Sequence, residues 1–169
     1  RFVEAVRPYS AKILATRKTL PGLRELDLLA VVAGGGNIHR RSLSDGILIK
    51  ENHLAFVSAT EYLKRAKECR SPLHGVEIEV QNRETLSEVM KNPPDVIMLD
   101  NFSPDALPAL IREIRSVTGS RIEVSGGVSL ENVRSIAVLG VDYISVGALT
   151  HSSPSLNLSM DFRDFVEES

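Results

Sequence analysis

Basic side chains follow the first three apolar runs of the sequence, at or just after the point where each run ends. They are Arg17, Lys18, His39, Arg40, Arg41 and Lys50. Arginine forms paired hydrogen bonds with carboxylate or phosphate groups, and lysine adds a compact positive charge. If the runs are parallel strands of a β/α sheet, their carboxyl ends share one edge of that sheet. The pattern therefore predicts a binding site for an anion that carries more than one acidic group.

Lys50 differs from the other basic residues because it directly ends the apolar run Ile47–Ile49. A buried ammonium group is costly unless it has a partner, so the position favours a functional role over surface decoration. Two roles are open from the residues alone. Lys50 could contact a phosphate group, or it could form a Schiff base with a carbonyl substrate.

Two later apolar runs bring carboxylates to the same predicted edge. Glu77 and Glu79 alternate along one strand and therefore share a face of the sheet, while Asp100 ends the next strand. Glu79 and Asp100 are suited to holding Mg²⁺ through few direct ligands and several waters, or to binding ribose hydroxyls. For Glu77, an ion pair with a basic neighbour is an equally good interpretation.

Glycine-rich turns predict where a phosphate group would bind. Ser125-Gly126-Gly127 and Ser145-Val146-Gly147-Ala148 each follow a short apolar run near the end of the chain. In β/α barrels the last such loops commonly supply backbone amides to a phosphate. The glycines at 34–36 also permit close approach of backbone to an anion, although three glycines alone are a weak signal.

Short apolar runs alternate with amphipathic stretches along the whole chain, which is typical of repeated β/α units and a parallel sheet. The candidate strands are residues 11–15, 30–33, 46–50, 76–80, 96–99, 122–124 and 143–146. The candidate helices are residues 22–29, 59–69, 83–90, 103–118 and 130–138. Ser103-Pro104 and Ser129 are predicted to start the last two helices. Because the strands are one short of a full eight-stranded barrel, we expect an α/β fold: an incomplete TIM-like β/α barrel with a mostly parallel sheet.

Composition limits the class of protein. The chain has 169 residues, is 43% apolar and has a net charge of −2, which predicts one compact domain over residues 1–169 and no general attraction for nucleic acid. The single Cys69 excludes an internal disulfide and suits a reducing compartment. No apolar run approaches the roughly 20 residues that span a bilayer, so no membrane association is expected and a cytoplasmic location is predicted. The start at Arg1 suggests a domain cut from a longer protein.

The motifs together resemble one family, quinolinate phosphoribosyltransferase. The matching stretches run in family order along almost the whole chain. They are Thr16-Arg17-Lys18-Thr19-Leu20-Pro21-Gly22-Leu23-Arg24, the glycine run through His39-Arg40, Leu48-Ile49-Lys50-Glu51-Asn52-His53, Met98-Leu99-Asp100-Asn101-Phe102, Ser125-Gly126-Gly127 and Ser145-Val146-Gly147-Ala148-Leu149-Thr150-His151. The chain departs from the family pattern at Ile38, where Asn often precedes His-Arg, and at Arg41-Ser42, where Leu-Gly is common.

The resemblance implies the carboxyl-terminal barrel of a two-domain enzyme that transfers phosphoribose from phosphoribosyl pyrophosphate to quinolinate, with loss of CO₂. It implies Mg²⁺ as cofactor, and a homodimer or larger homo-oligomer in which the amino-terminal domain of a partner subunit completes each site. The implied quinolinate ligands are Thr16, Arg17, Lys18, His39 and Arg40. The implied catalytic residues are Lys50, Glu79 and Asp100, the last two with the metal, and the implied phosphate ligands are Ser125, Gly126, Gly127, Ser145, Gly147 and Ala148.

Three other functions compete with this one. A related transferase acting on nicotinate would use similar anion-binding groups. A Schiff-base barrel enzyme would use Lys50 as its nucleophile, although such an enzyme has no need of the basic cluster. A protein that only binds phosphate-bearing ligands, without turnover, would use the same glycine turns.

Overall fold

The computed structural model describes residues 1–161. It contains seven strands: β1 (Lys12–Ala15), β2 (Asn37–Ile38), β3 (Ile47–Ile49), β4 (Val76–Val80), β5 (Val96–Asp100), β6 (Arg121–Ser125) and β7 (Tyr143–Ser145). All strand pairs are parallel, and the strand order is β2-β1-β7-β6-β5-β4-β3. Among the described residues β2 and β3 do not pair with each other, so the barrel is open along one side. The predicted incomplete β/α barrel is confirmed.

Eight helices accompany the strands of the described part of the chain. They are α1 (Phe2–Val6), α2 (Arg24–Ala33), α3 (Glu51–Leu54), α4 (Ala59–Cys69), α5 (Arg83–Val89), α6 (Leu107–Val117), α7 (Val133–Ala137) and α8 (Ala148–His151). α6 shows why they pack on the sheet. Its buried residues Leu107, Leu110, Ile111 and Ile114 follow the spacing of one helical face.

Alternation along the strands separates two buried layers. In β4, Val76, Ile78 and Val80 are fully buried and belong to the main hydrophobic core beneath the helices. Glu77 and Glu79 alternate with them and are also buried, at 8% and 5% exposure. Since successive side chains point to opposite faces of a strand, these carboxylates lie inside the barrel. On β4, the face toward the barrel interior is therefore polar, and the face toward the helices is apolar.

The second strand was predicted in the wrong place. Residues 30–33 form the last turn of α2, and the strand that follows is β2 at Asn37–Ile38. Leu28 and Val31 are buried three positions apart, which is the spacing of a helix. The glycines at 34–36 consequently lie before β2, not after it, and only the residues that follow β2 lie at the carboxyl edge. A Cβ on Gly36 would lie 2.7 Å from Val31 Cγ1, so this glycine serves close packing of helix and strand.

Two predicted helix starts also differ from the structure. α6 begins at Leu107 rather than directly after Ser103-Pro104. The carbonyl of Ser103 instead accepts a hydrogen bond from the amide of Ala106 at 3.0 Å, which closes a turn before the helix. The side chain of Ser129 does not cap α7. Its backbone amide donates to Asn132 Oδ1 at 2.9 Å, one turn before the helix.

One face of α2 is apolar and exposed. Leu26, Leu29 and Val32 recur every three residues and are 62%, 60% and 48% exposed. Within residues 1–161, no helix has both the length and the apolar content required to cross a lipid bilayer. Residues 162–169, the end of the predicted domain, lie outside the described residues.

Candidate active site

A cavity of about 520 Å³ opens at the carboxyl edge of the sheet. It is lined by Ala15, Thr16, Arg17, Lys18, His39, Arg40, Leu48, Lys50, Glu51, Glu79, Gln81, Met98, Asp100, Asn101, Ser125, Gly126, Gly127 and Ser145. All the site residues predicted from the sequence are in this set except Gly147 and Ala148. The ends of all seven strands or their following loops meet here, as expected for the functional end of a β/α barrel.

Three basic residues, Arg17, Lys18 and Arg40, form what we call the basic half of the cavity. None of them has an acidic partner within 4.0 Å among residues 1–161, and the Arg17 Nε atom is buried without a hydrogen-bond partner. Burial and the nearby positive charge of Arg17 lower the pKa of Arg40 from its usual value. Like charges that are partly removed from water and have no counter-ion favour binding of an anion.

The loop that carries Arg17 and Lys18 is tied down at several points. The amide of Lys18 donates to Thr16 Oγ1 at 3.2 Å, and the hydroxyl of Thr150 donates to the carbonyl of Lys18 at 2.6 Å. Further along, the amide of Leu20 donates to Asp27 Oδ2 at 2.9 Å. These bonds fix the loop after β1 against α2 and α8. The basic side chains therefore start from a defined backbone.

His39 lies at the boundary between the cavity and the barrel interior. Its Nε2 atom is 2.9 Å from Glu77 Oε2 and 3.4 Å from Glu123 Oε2, and its side chain is 15% exposed. Burial alone would lower the pKa of His39, but the bonds to Glu123 and Glu77 outweigh it and raise the pKa to about 10. For Glu77 the effect of burial has the opposite sign: it raises the pKa to about 7, although the contact with His39 acts to lower it. The structure therefore contains the alternative predicted for Glu77, a pairing with a basic neighbour, which is His39.

Four residues, Lys50, Glu79, Gln81 and Asp100, form the acidic half of the cavity. The ammonium of Lys50 pairs with Glu79 Oε2, and the Gln81 amide donates to Glu79 Oε1 at 3.1 Å and to Asp100 Oδ2 at 3.3 Å. Burial raises the pKa of Glu79. The Lys50 ammonium acts to lower this pKa, and the negative charge of Asp100 acts to raise it further. In contrast to the basic half, the charges of Lys50 and Glu79 are compensated inside the protein, and Asp100 accepts amide hydrogen bonds.

The turn after β6 packs directly against the end of β5. Asn101 has a positive φ of 56°, and its amide donates to the carbonyl of Ser125 at 3.0 Å. Gly126 has a φ of 88°, and a Cβ there would lie 2.2 Å from Asn101 Oδ1. Only glycine allows this close approach, so Gly126 brings the backbone of Ser125-Gly126-Gly127 up against Asn101, the residue next to Asp100.

Three of the predicted phosphate ligands have other surroundings. The hydroxyl of Ser145 donates to Glu123 Oε1 at 2.6 Å, so it is engaged in the barrel interior. A Cβ on Gly147 would lie 2.7 Å from His151 Nε2, and neither Gly147 nor Ala148 lines the cavity. Ala148 instead lines a separate, more apolar cavity of about 550 Å³ that also involves Phe2.

Sequence reasoning did not select two residues that organise the site, Gln81 and Glu123. Gln81 follows β4 with the same alternation that placed Glu77 and Glu79 on one face, so strand periodicity was a usable signal. Glu123 alternates with Ser125 on β6 in the same way. Their partners, by contrast, come from other strands and become apparent only once the strand order is known.

Comparison with known proteins decides the family. The family described as quinolinate phosphoribosyl transferase, C-terminal domain, matches residues 1–161. The chain belongs to this family. Its open barrel and the motif residues around the cavity are therefore those of a quinolinate phosphoribosyl transferase C-terminal domain.

Relatives of this domain include complete enzymes. A nicotinate-nucleotide pyrophosphorylase (carboxylating) of Mycobacterium leprae is 45% identical over 162 residues, which cover 95% of this chain and 57% of that protein. The crystal structure of nicotinate-nucleotide pyrophosphorylase from Ehrlichia chaffeensis matches with a TM-score of 0.82 and 41% identity, over 89% of this chain and 54% of that one. The structure of the Francisella tularensis enzyme of that name matches with a TM-score of 0.82 and 38% identity, over 94% and 55%. The chain spans a little more than half the length of these proteins.

Proposed function

We propose that this chain carries the catalytic site of an enzyme that transfers phosphoribose from phosphoribosyl pyrophosphate to quinolinate, releasing pyrophosphate and CO₂ and forming nicotinate mononucleotide. The names of its relatives support this function. The observation that carries it is the basic half of the cavity. Arg17, Lys18 and Arg40 form a cluster without a counter-ion among the described residues, which fits a dianion with two adjacent carboxylates.

The acidic half fits the sugar donor. Loss of pyrophosphate from the anomeric carbon gives a transition state with oxocarbenium character, and carboxylates close to the ribose stabilise its positive charge. Glu79 and Asp100 both line the cavity and are linked by the amide of Gln81. In this arrangement Lys50 adds a positive charge for the anionic groups of the donor.

The oxygen-rich acidic half also fits Mg²⁺. Asp100 Oδ1 accepts no hydrogen bond from residues 1–161, whereas both oxygens of Glu79 are engaged by Lys50 and Gln81. Asp100 would therefore hold the ion directly and Glu79 through water, which suits a cation that keeps most of its hydration shell. When bound, the ion would neutralise charge on the departing pyrophosphate.

The residues of the chain act mainly by positioning and charge. The pyridine nitrogen of quinolinate forms a bond to the anomeric carbon as the bond to pyrophosphate breaks. The ring nitrogen becomes cationic and accepts the electron pair released when the neighbouring carboxylate leaves as CO₂, and a proton then replaces the carboxylate. Arg17, Lys18, His39 and Arg40 hold the dianion for this attack, with Thr16 as a lesser contact. The turn Ser125-Gly126-Gly127 offers amides to the 5′-phosphate.

The complete enzyme would contain more than this barrel. The relatives are nearly twice as long as the matched region, and the matched family is a C-terminal domain, which together support a preceding domain. In the arrangement we propose, the protein is a homo-oligomer and a partner's amino-terminal domain covers the cavity. The broad opening at the carboxyl edge would admit such a cover, which would exclude water during the reaction. Small-molecule substrates and a single free cysteine are in keeping with a cytoplasmic location.

Titration calorimetry with quinolinate and with nicotinate tests the proposal. The basic cluster predicts that quinolinate binds the complete protein more tightly by at least about tenfold, because the second carboxylate adds charge-assisted hydrogen bonds. Equal affinity for nicotinate would contradict the assignment. Release of ¹⁴CO₂ from labelled quinolinate, dependent on phosphoribosyl pyrophosphate, would establish turnover. Trapping of Lys50 by borohydride in the presence of a carbonyl substrate would instead favour the Schiff-base alternative.

A further inference from the structure

A buried polar cluster lies inside the barrel directly beneath the cavity. Its members are His39, Glu77, Glu123 and Ser145, from the end of β2 and from β4, β6 and β7. Glu77, Glu123 and Ser145 are 8%, 1% and 4% exposed. Burying polar groups this deeply is costly unless other polar groups pair with them. Neither glutamate lines the cavity, so contact with a ligand there does not explain their burial.

The hydrogen bonds of this cluster converge on one atom. Both carboxylates lie within reach of His39 Nε2, at 2.9 Å for Glu77 and 3.4 Å for Glu123. The remaining oxygen of Glu123 accepts the Ser145 hydroxyl at 2.6 Å, which fixes that carboxylate in place. Because Nε2 is engaged inside the barrel, Nδ1 is the only ring nitrogen of His39 left for a ligand in the cavity.

We infer that Glu77 and Glu123, with Ser145 behind Glu123, are positioning residues that hold His39 by Nε2 as an imidazolium, so that its Nδ1–H donates to a carboxylate of quinolinate. This role rests on the function proposed above and adds two glutamates that do not line the cavity. It explains why two buried carboxylates lie close to one imidazole nitrogen inside the barrel.

Protonation of the ring decides whether Nδ1 attracts or repels the substrate. A neutral imidazole held through Nε2–H carries a lone pair on Nδ1, which would face the negative charge of the substrate carboxylate. Only the doubly protonated ring donates from both nitrogens. Two buried carboxylates around Nε2 stabilise that cation, in agreement with the raised pKa of His39. A single carboxylate would orient the ring with less electrostatic support.

The first experiment measures the protonation of His39 in the unsubstituted enzyme. In the complete enzyme labelled with ¹⁵N-histidine, NMR near neutral pH should show both nitrogens of His39 protonated before ligand is added. Addition of quinolinate should shift the Nδ1–H resonance more than the Nε2–H resonance. His39→Gln assigns the signals. A neutral ring, or a larger response at Nε2, overturns the inference whether or not the enzyme turns over.

The second experiment removes one charge from the cluster. Glu123→Gln keeps the shape of the side chain, and we expect the KM for quinolinate to rise about tenfold while the KM for phosphoribosyl pyrophosphate stays within about twofold. Glu113→Gln, at an exposed carboxylate that pairs with Arg83, is the matched control and should change neither value. Unchanged quinolinate KM in folded Glu123→Gln, or an equal rise in both KM values, contradicts the positioning role.

The milder variant Ser145→Ala covers the case in which Glu123→Gln does not fold. It leaves both carboxylates and frees one oxygen of Glu123, so the quinolinate KM should rise by a few-fold. Failure of the unmodified enzyme to bind quinolinate would reject the proposed function, whereas the protonation state of free His39 still tests the cluster. The two conclusions can therefore fail separately.

Discussion

The two halves of the cavity treat charge in opposite ways. In the basic half, Arg17, Lys18 and Arg40 have no acidic partner among residues 1–161. In the acidic half, Glu79 is paired with Lys50 and linked to Asp100 through Gln81. Both halves are built on the ends of strands in the same sheet, so the fold does not impose the difference. It arises from the residue types that each strand end carries.

The comparison shows which half depends on its ligand. Burial and the positive charge of Arg17 lower the pKa of Arg40, so this guanidinium is unfavourably placed until an anion binds beside it. The basic half therefore favours affinity for an anion over stability of the free protein. The acidic half is arranged before the donor or a cation arrives. We therefore expect substitutions in the basic half to weaken quinolinate binding without lowering stability. Substitutions in the acidic half should lower stability or donor binding with little change in quinolinate affinity.

The largest effect is expected for Arg40→Ala. Loss of a charge-assisted contact should weaken quinolinate binding by about 1.5–3 kcal/mol, measured by calorimetry. The free energy of unfolding should stay within about 0.5 kcal/mol of the unmodified protein or rise, because repulsion with Arg17 is relieved. Arg41→Ala is the matched control, since Arg41 is exposed and does not line the cavity. Marked destabilisation by Arg40→Ala would erase the contrast between the halves.

Lys50→Met should show the reverse pattern. It leaves the carboxylate of Glu79, which is 5% exposed, without its ionic partner. Because the Lys50 side chain is itself 41% exposed, we expect a reduced cost of about 1–2 kcal/mol in urea unfolding. Activity should fall and quinolinate affinity should change little. A variant as stable as the original protein would mean that the acidic half is not organised by this pair.

Gln81→Ala tests the link between the two carboxylates. Losing the shared amide should raise the KM for phosphoribosyl pyrophosphate by the equivalent of about 0.5–1.5 kcal/mol and leave quinolinate affinity unchanged. Gln81→Glu keeps the size of the side chain but adds a third negative charge beside Glu79 and Asp100, so its effect should be larger. Equal KM values in all three proteins would show that Gln81 is dispensable.

The smallest change is expected from pH. His39 has its pKa raised to about 10 from 6.5, so its cationic form persists as pH rises and is lost only on passing about 10. Arg40 remains charged over the same range, because a guanidinium keeps its proton far above neutral pH even when burial lowers its pKa. Quinolinate affinity should vary less than about twofold between about pH 8 and 9, above the pKa of about 7 of the neighbouring Glu77. A loss of affinity through pH 6–7 would mean that His39 titrates like an ordinary histidine.

The alternation of apolar and polar residues was sufficient to predict much of the fold. It failed where a short apolar run is compatible with both a strand and a helix. The apolar run at 30–33 fits a short strand as well as one helical turn, and only its continuation from Leu28 through Val31 distinguishes them. The error moved the glycines at 34–36 to the wrong end of β2. It left His39 and Arg40 correctly placed, because both interpretations put them at a strand's carboxyl end.

Site residues could be predicted from the sequence where a single strand determines their position. Lys50, Glu79 and Asp100 line the cavity because each ends or follows its own strand. The bonds among His39, Glu123 and Ser145 join strands far apart in sequence, so they depend on strand order and barrel curvature, which residue patterns do not encode. Gly147 and Ala148 matched a motif, but the turn into α8 directs them away from the cavity.

The open side of the barrel has a consequence for how this protein behaves in concentrated solution. Its two edge strands, β2 and β3, are only two and three residues long. Such short edges present few unpaired backbone groups to another chain, so they are poor templates for strand addition between molecules. An incomplete barrel of this kind can leave its seam uncovered without inviting the sheet-to-sheet growth that leads to fibrils.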